Sequence, residues 1–319
     1  MGNLIAFIRK VAEGLQTGGN YGTAHVYRSS ANALQAFYGK ENLLFRNLSP
    51  ELLKQFETHL RARGCSWNTV STYMRTLRAT YNRAVERRLT AYVPQLFKHV
   101  YTGTRADRKR AMEHEEIARL LNEPLPATAV ARGGKEQYEE LKRTRGMFVL
   151  MFMLRGLPFV DLVYLKKKDV EGNTITYRRR KTGRTLSVTL TDEAIQLLRE
   201  YAGRNSDSPY LFPFLTHREG TMEAYHEYQV ALRRFNQQLI LLRKVMDIRS
   251  ELSSYTARHT WATMAYYCEV HPGIISEAMG HSSITVTETY LKPFRSKKID
   301  EANRMVIAFS KSSIPALVI

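Results

Sequence analysis

Acidic residues are what this chain most lacks. Among 319 residues, 48 lysines and arginines stand against 30 aspartates and glutamates, a formal charge of +18, and the isoelectric point is near 9.9. That imbalance creates a field that draws polyanions, so nucleic acid is the natural partner; an acidic membrane or mere solubility is the blander reading. Cysteine is nearly absent, with only Cys65 and Cys268, far apart and outside any metal-ligand spacing. Neither a disulfide framework nor a zinc site is indicated, and a reducing compartment fits. Long apolar runs are missing too. The longest, Met147 to Leu154, has eight residues and reads as a buried helix segment. The apolar opening through Ile8 is cut short by Arg9 and Lys10, too early for a signal-peptide core or a membrane span. No membrane role is expected, and the expected location is cytoplasmic, at the nucleoid. No repeat or low-complexity segment occurs.

What is present is a composition normal for a globular protein, 44% hydrophobic and 24% charged, long enough for two ordinary domains. Helical periodicity runs through residues 23–40 and 49–63, the second opening on Ser49 and Pro50 and closing at Gly64. A third helix is predicted to begin after Ser66-Trp67-Asn68-Thr69 and to run to about Arg88, with Val70, Tyr73, Leu77, Tyr81 and Ala84 on one face and Arg75, Arg78, Arg83 and Arg87 on another. From Arg61 to Arg110 twelve basic residues, among them Arg63, Lys98, Arg105 and Lys109, meet only Glu86 and Asp107. An ordinary solvated helix mixes signs in i,i+4 pairs; this one leaves its cations ready for phosphates. Arg63, Asn68, Thr69, Tyr73, Arg75, Arg78, Arg83, Lys98, Arg105, Lys109 and Arg110 are the candidate DNA contacts.

Phe97 to Ala111 is basic and aperiodic and reads as an interdomain linker, which divides the chain into 1–107 and 108–319. Beyond it the pattern predicts a helix at residues 113–122, a polar loop near Pro124–Gly134, a longer helix ending at Leu154 and another opening at Pro158. Residues 174–180 and 185–190 read as strands around a Lys181-Thr182-Gly183-Arg184 turn. Helices follow from Thr191, over 222–245, 257–268 and 272–279, and over 302–309.

The last quarter holds Tyr255-Thr256-Ala257-Arg258-His259-Thr260, then Met279-Gly280-His281, then Tyr290 nine residues on. Breaking a phosphodiester without metal requires groups that neutralise the nonbridging oxygens, an in-line nucleophile and an acid for the leaving oxygen. Arginine suits the first task, tyrosine the second, lysine or histidine the third. Each residue also has a plainer reading: His281 as a satisfied core or turn histidine, His259 as a structural hydrogen-bonder, Lys181 as a solvated turn residue, and Tyr290 as one of 18 tyrosines.

These boxes resemble those of the tyrosine recombinases, or phage integrases, and within them the short integrase or DNA-invertase type of gut Bacteroidetes. The resemblance covers nearly the whole chain. It implies a mainly α fold (α+β): an N-terminal helical core-binding domain and a mostly helical catalytic domain with a small antiparallel sheet, together clamping a DNA duplex. It implies Tyr290 as nucleophile forming a 3′-phosphotyrosyl link, Lys181 as acid for the 5′ oxygen, and Arg258 and His281 on the phosphate, with no cofactor or metal. Synapsis of two sites implies a DNA-bound tetramer, with the C-terminal tail as the exchanged element. Two departures stand out. The family's first arginine follows Gly-Leu, where this chain has Pro158; Arg155 is the expected substitute, its plainer reading being a cap on its helix C-terminus. Tyr255 stands where the box begins with histidine, and its hydroxyl can donate one hydrogen bond but cannot be a cationic acid near neutral pH. The rival readings are a type IB topoisomerase and a noncatalytic DNA-binding regulator. The short chain favours inversion over integration or excision.

Overall fold

The structure, a computed structural model, describes residues 2–105, 110–126, 128–292 and 296–312. Contacts divide the chain into two units, residues 1–107 with 219–225 and residues 108–218 with 226–319. Lys109 and the apolar end at residues 315–319 lie outside the described residues.

In the first unit four helices surround one core: α1 (Leu4–Thr17), α2 (Tyr21–Tyr38), α3 (Pro50–Ala62) and α4 (Trp67–Glu86). The Ser49 and Ser66 side chains accept from the amides of Leu52 and Thr69, satisfying donors that the first turns of α3 and α4 leave orphaned. Gly39 ends α2 in the left-handed region at φ 72°. α1 is an addition to the sequence reading. The Asn3 side chain caps it by accepting from Ala6, and Leu4, Ile5, Ile8, Val11 and Ala12 are buried on one face. Its apolar residues crowd into two turns, and packing on α2 and α4 rather than propensity holds it.

The expected linker is corrected at both ends. Phe97 and Val100 are buried in the first core, the Tyr101 amide donates to Glu57 Oε2 at 2.6 Å, and Ala111 and Met112 are buried, Met112 in the second core. Apolar residues within a basic stretch seek burial whatever the charge around them.

The second unit contains α5 (His114–Asn122), α6 (Thr128–Met153), α7 (Phe159–Val163), β1 (Val170–Glu171), β2 (Thr174–Arg178), β3 (Thr185–Thr189), α8 (Asp192–Tyr201), α9 (Met222–Val245), α10 (Thr256–Tyr267), α11 (Pro272–Ala278), α12 (Ile284–Glu288) and α13 (Ser296–Ser312). The polar loop expected to reach Gly134 is instead helical from Thr128, and Gly134 at φ 72° breaks it into two helices. The sheet is antiparallel in the order β1-β2-β3, one strand more than expected, with Ile175 opposite Val188 and Tyr177 opposite Leu186. These four residues are buried while their neighbours along the strands face out, the period-2 alternation of a sheet with one covered face. No helix among the described residues is long and apolar enough to cross a membrane.

Candidate active site

Arg258 lies in the first turn of α10, where Thr256, Ala257 and Thr260 are also buried. Small side chains there let α10 pack on α6, and Arg258 is carried inside at 2% exposure. A buried guanidinium needs acceptors for its donors. Arg258 donates from Nη1 to the Gly156 carbonyl at 2.9 Å, and from Nη2 to the Met279 carbonyl at 2.7 Å and His281 Nε2 at 2.8 Å. Gly156 has φ 68°, and a Cβ there would stand 2.7 Å from the Arg258 Cα, so glycine is required both for the turn and for the approach of α10.

His281 follows Gly280, which is left-handed at φ 66° and ends α11. The His281 Nδ1 is 2.8 Å from the Thr287 hydroxyl. Burial, then the charges of Arg258, Arg179 and Lys181, pull the imidazole pKa down to about 3. The Tyr290 ring stacks on His281 at 5.0 Å, meets His259 at 4.5 Å, and lies 5.7 Å from the Arg258 guanidinium carbon. Thr263 donates to the Tyr290 carbonyl at 3.2 Å, fastening this segment to α10. Tyr255 as a whole residue is 41% exposed, and its ring lies 6.0 Å from that of His259. Its pKa is raised by burial of the hydroxyl foremost and by the nearby Tyr290. Arg258, His259, His281, Tyr255 and Tyr290 therefore form one cluster.

Lys181 is exposed in the loop joining β2 to β3. That loop spans Arg179 to Arg184, closed by amide bonds from Arg179 to Arg184 and from Gly183 to Arg179, both 2.8 Å, so the first strand ends earlier than expected. Thr182 donates to the Gly280 carbonyl at 3.4 Å and Arg184 to the His281 carbonyl at 3.1 Å, holding the loop to the Gly-His segment.

Arg155 is half-buried, with a left-handed backbone at φ 57°, next to the glycine whose carbonyl receives Arg258. Among the described residues its guanidinium has no hydrogen-bond or ion-pair partner, although its charge is felt at Tyr177. Sequence reading missed Arg179 and Asp161. Arg179, 5% exposed, approaches Asp161 Oδ2 to 2.9 Å through Nε, an ion pair without an aligned hydrogen bond, and donates from Nη1 to the Met279 carbonyl at 2.8 Å. Asp161 Oδ1 accepts the Arg180 amide at 2.9 Å. The signal was available in the alternation: Ile175, Tyr177 and Arg179 fall on one side of the strand.

Of the candidate DNA contacts, Arg63, Arg75, Arg78, Lys98, Arg105 and Arg110 are exposed, and among the described residues none has a carboxylate partner. Arg105 lies over the Trp67 ring at 4.9 Å. Arg83 is half-buried, its guanidinium 5.8 Å from the Tyr27 ring, and Tyr73 packs against the core. Asn68 is engaged within the protein, its amide donating to the Arg105 carbonyl at 2.7 Å and accepting the Arg105 amide at 2.9 Å. The Thr69 hydroxyl pairs with Ser66 at 3.0 Å. The spacing could not reveal those local partners.

Residues 3–99 match the phage integrase SAM-like domain, and residues 110–297 match the phage integrase family. Tyrosine recombinase XerA of Pyrococcus furiosus is 25% identical over 277 residues, 77% of this chain and 91% of the relative. Tyrosine recombinase XerC of Roseiflexus sp. is 23% identical over 296 residues, 89% and 87% of the two chains. In fold the chain is similar to the Tn1549 transposon integrase in complex with transposon right end DNA, with a TM-score of 0.64, 17% identity and coverage of 96% of this chain and 100% of the other. It is similar also to a lambda integrase tetramer bound to a Holliday junction, with a TM-score of 0.64, 13% identity and coverage of 91% and 78%.

Proposed function

Because the chain belongs to the phage integrase family of tyrosine recombinases, and so is a site-specific recombinase, we propose that Tyr290 is its nucleophile and that it acts on duplex DNA. The Tyr290 oxygen attacks the scissile phosphorus, forming a 3′-phosphotyrosyl bond as the bond from phosphorus to the 5′ oxygen breaks. The phenol proton passes to the neighbouring His259 imidazole, and the Lys181 ammonium protonates the departing 5′ oxygen. Arg258 and His281 hold the nonbridging oxygens, and Tyr255 assists at the edge of the site. The covalent bond conserves the energy of the phosphodiester, so the reverse attack by a 5′ hydroxyl rejoins the strand without a nucleotide or a metal. The observation that carries this reading is the convergence of Arg258, His281 and Tyr290, from three separate segments, on one cluster.

The first unit, residues 1–107, is proposed to grip the duplex through its exposed arginines, and residues 108–319 to cut it. Recombination of two sites requires four strand cleavages, so the assembly proposed is a tetramer on synapsed DNA. The proposed outcome is DNA inversion or integration and excision. The decisive experiment captures DNA from a randomised duplex pool, rebuilds the captured site with a nick beside the cleavage position and separates products under denaturing conditions. Wild type is expected to give a covalent species that Tyr290→Phe lacks; its absence from wild type would overturn the reading. Inverted repeats flanking the gene, with both orientations present in one culture, would establish inversion.

A further inference from the structure

Met279 offers one carbonyl oxygen, and two guanidinium groups use it: Arg258 Nη2 at 2.7 Å and Arg179 Nη1 at 2.8 Å. Both arginines are buried, at 2% and 5% exposure. Like charges so close oppose one another, and the pKa of Arg258 is lowered by burial and then by Arg179. One carboxylate, Asp161, at 3% exposure, sits against Arg179. His281 beside them is neutral, its pKa pulled down partly by these same arginines. Among the described buried side chains of this cluster, two cations and one anion leave one uncompensated positive charge, next to the Tyr290 ring.

A buried excess charge is costly unless a ligand supplies its counterpart. The ligand that fits is a group with one negative charge and oxygens able to accept from several donors, which describes a phosphodiester. We propose that Arg179 is the second guanidinium on the scissile phosphate, in the place where Arg155 was expected. This rests on the recombinase reading of the site. Asp161 fixes the Arg179 Nε edge and Met279 its Nη1, while Nη2 has no hydrogen-bond partner among the described residues and is not sealed from solvent. Nη2 is the atom left for the phosphate. Gly280 belongs to the same device, since a Cβ there would come within 3.3 Å of Arg179 Cγ. Asp161 also holds the Arg180 amide, so the carboxylate that aims Arg179 also anchors the loop that carries Lys181. Arg155 has no comparable support, and its guanidinium is held by no described residue.

The test uses the full chain and the nicked site captured by wild type, in two forms. One carries a normal scissile phosphate; the other is a methylphosphonate, in which a methyl group replaces one nonbridging oxygen and removes the negative charge. An arginine that stabilises that charge becomes dispensable on the neutral substrate, whereas one that only supports the fold does not. Arg179→Ala is expected to lose about 10²–10³ in cleavage rate on the phosphate and to come within about tenfold of wild type on the methylphosphonate. Where Arg179→Ala melts early because Asp161 is left buried and unpaired, Arg179→Ala combined with Asp161→Asn removes the stranded charge and keeps an acceptor for the Arg180 amide. Equal losses on both substrates in a folded variant, or rescue of Arg155→Ala but not of Arg179→Ala, would overturn the proposal. If wild type itself captures no DNA through Tyr290, the recombinase reading fails, and the proposal fails with it.

Discussion

Arg258 donates from Nη2 to His281 Nε2 at 2.8 Å, while the other ring nitrogen lies 2.8 Å from the Thr287 hydroxyl. A guanidinium has donors only, so Nε2 must present a lone pair and the ring proton must sit on Nδ1, facing Thr287. The imidazole is therefore neutral, as its pKa of about 3 requires. A phosphate arriving at Arg258 competes for the same donor and brings negative charge to the ring. Both effects favour protonation of His281.

The pH dependence follows in sign. The folded pKa of His281 is about 3 against an ordinary 6.5, so between those values the unfolded chain binds more protons than the folded one. The stability tied to this histidine is complete above about 6.5 and is lost as pH falls toward 3. NMR of the free protein should show the His281 ring carbon-bound proton unshifted between pH 8 and pH 5, with titration inside that range appearing only when DNA is bound. A free-protein midpoint near 6.5 would refute the neutral assignment.

Gly156→Ala should be damaging out of proportion to one methyl group. The left-handed backbone and the 2.7 Å approach to the Arg258 Cα combine, and a cost of about 1–3 kcal/mol is expected for the backbone alone. Urea denaturation would measure it, and cleavage should fall as well, because the Gly156 carbonyl is an acceptor of Arg258.

Glu116, buried in α5, accepts from the Arg249 and Ser250 amides at 2.7 and 2.9 Å and from the Ser250 hydroxyl. Burial raises its pKa, but hydrogen bonds from Ser250, Glu113 and Arg249 outweigh that and hold the carboxyl below its ordinary value. Its contribution is present above pH 4.5 and is lost as pH falls through the lowered folded value. Glu116→Gln sets an amide donor against those donors and should cost about 1–3 kcal/mol near neutral pH, read by urea denaturation. An unchanged midpoint would show that the bonds carry no net stability.

Binding to the captured DNA should weaken steeply with salt. Arg63→Ala, Arg75→Ala and Arg78→Ala, exposed and without described acid partners, should each lower the slope of log affinity against log salt by about 1 if the residue meets a phosphate. Fluorescence anisotropy at several salt concentrations measures this, and unchanged slopes would remove the first unit from the interface.

Much of the fold was legible because it rests on local rules. Ser49 with Pro50 announced α3 through a cap that satisfies an orphaned amide, and the spacing of Val70, Tyr73, Leu77, Tyr81 and Ala84 announced α4. Alternation around residues 175–188 announced the β2–β3 hairpin. α1 was not legible, because its apolar residues pack only into a core assembled from α2 and α4. The start of α6 at Thr128 is hidden in the sequence because Gly134, a genuine break between two helices, gives the same signal as the end of a loop.

Within the site, Arg258, His281 and Tyr290 were readable along the chain because their two boxes and the nine residues from His281 to Tyr290 resemble those of the tyrosine recombinases. The partners were not. Arg179 meets the Met279 carbonyl 100 residues away, Arg258 reaches back 102 residues to Gly156, and the His281 tautomer depends on both Arg258 and Thr287. The sequence by itself determined the helices, the charge excess and the set of chemical groups; only the tertiary structure decided which guanidinium groups meet at one oxygen and which carboxylate holds them. A buried charge is tolerated only where the fold brings a partner to it, and that pairing is a long-range property with no local spacing to reveal it.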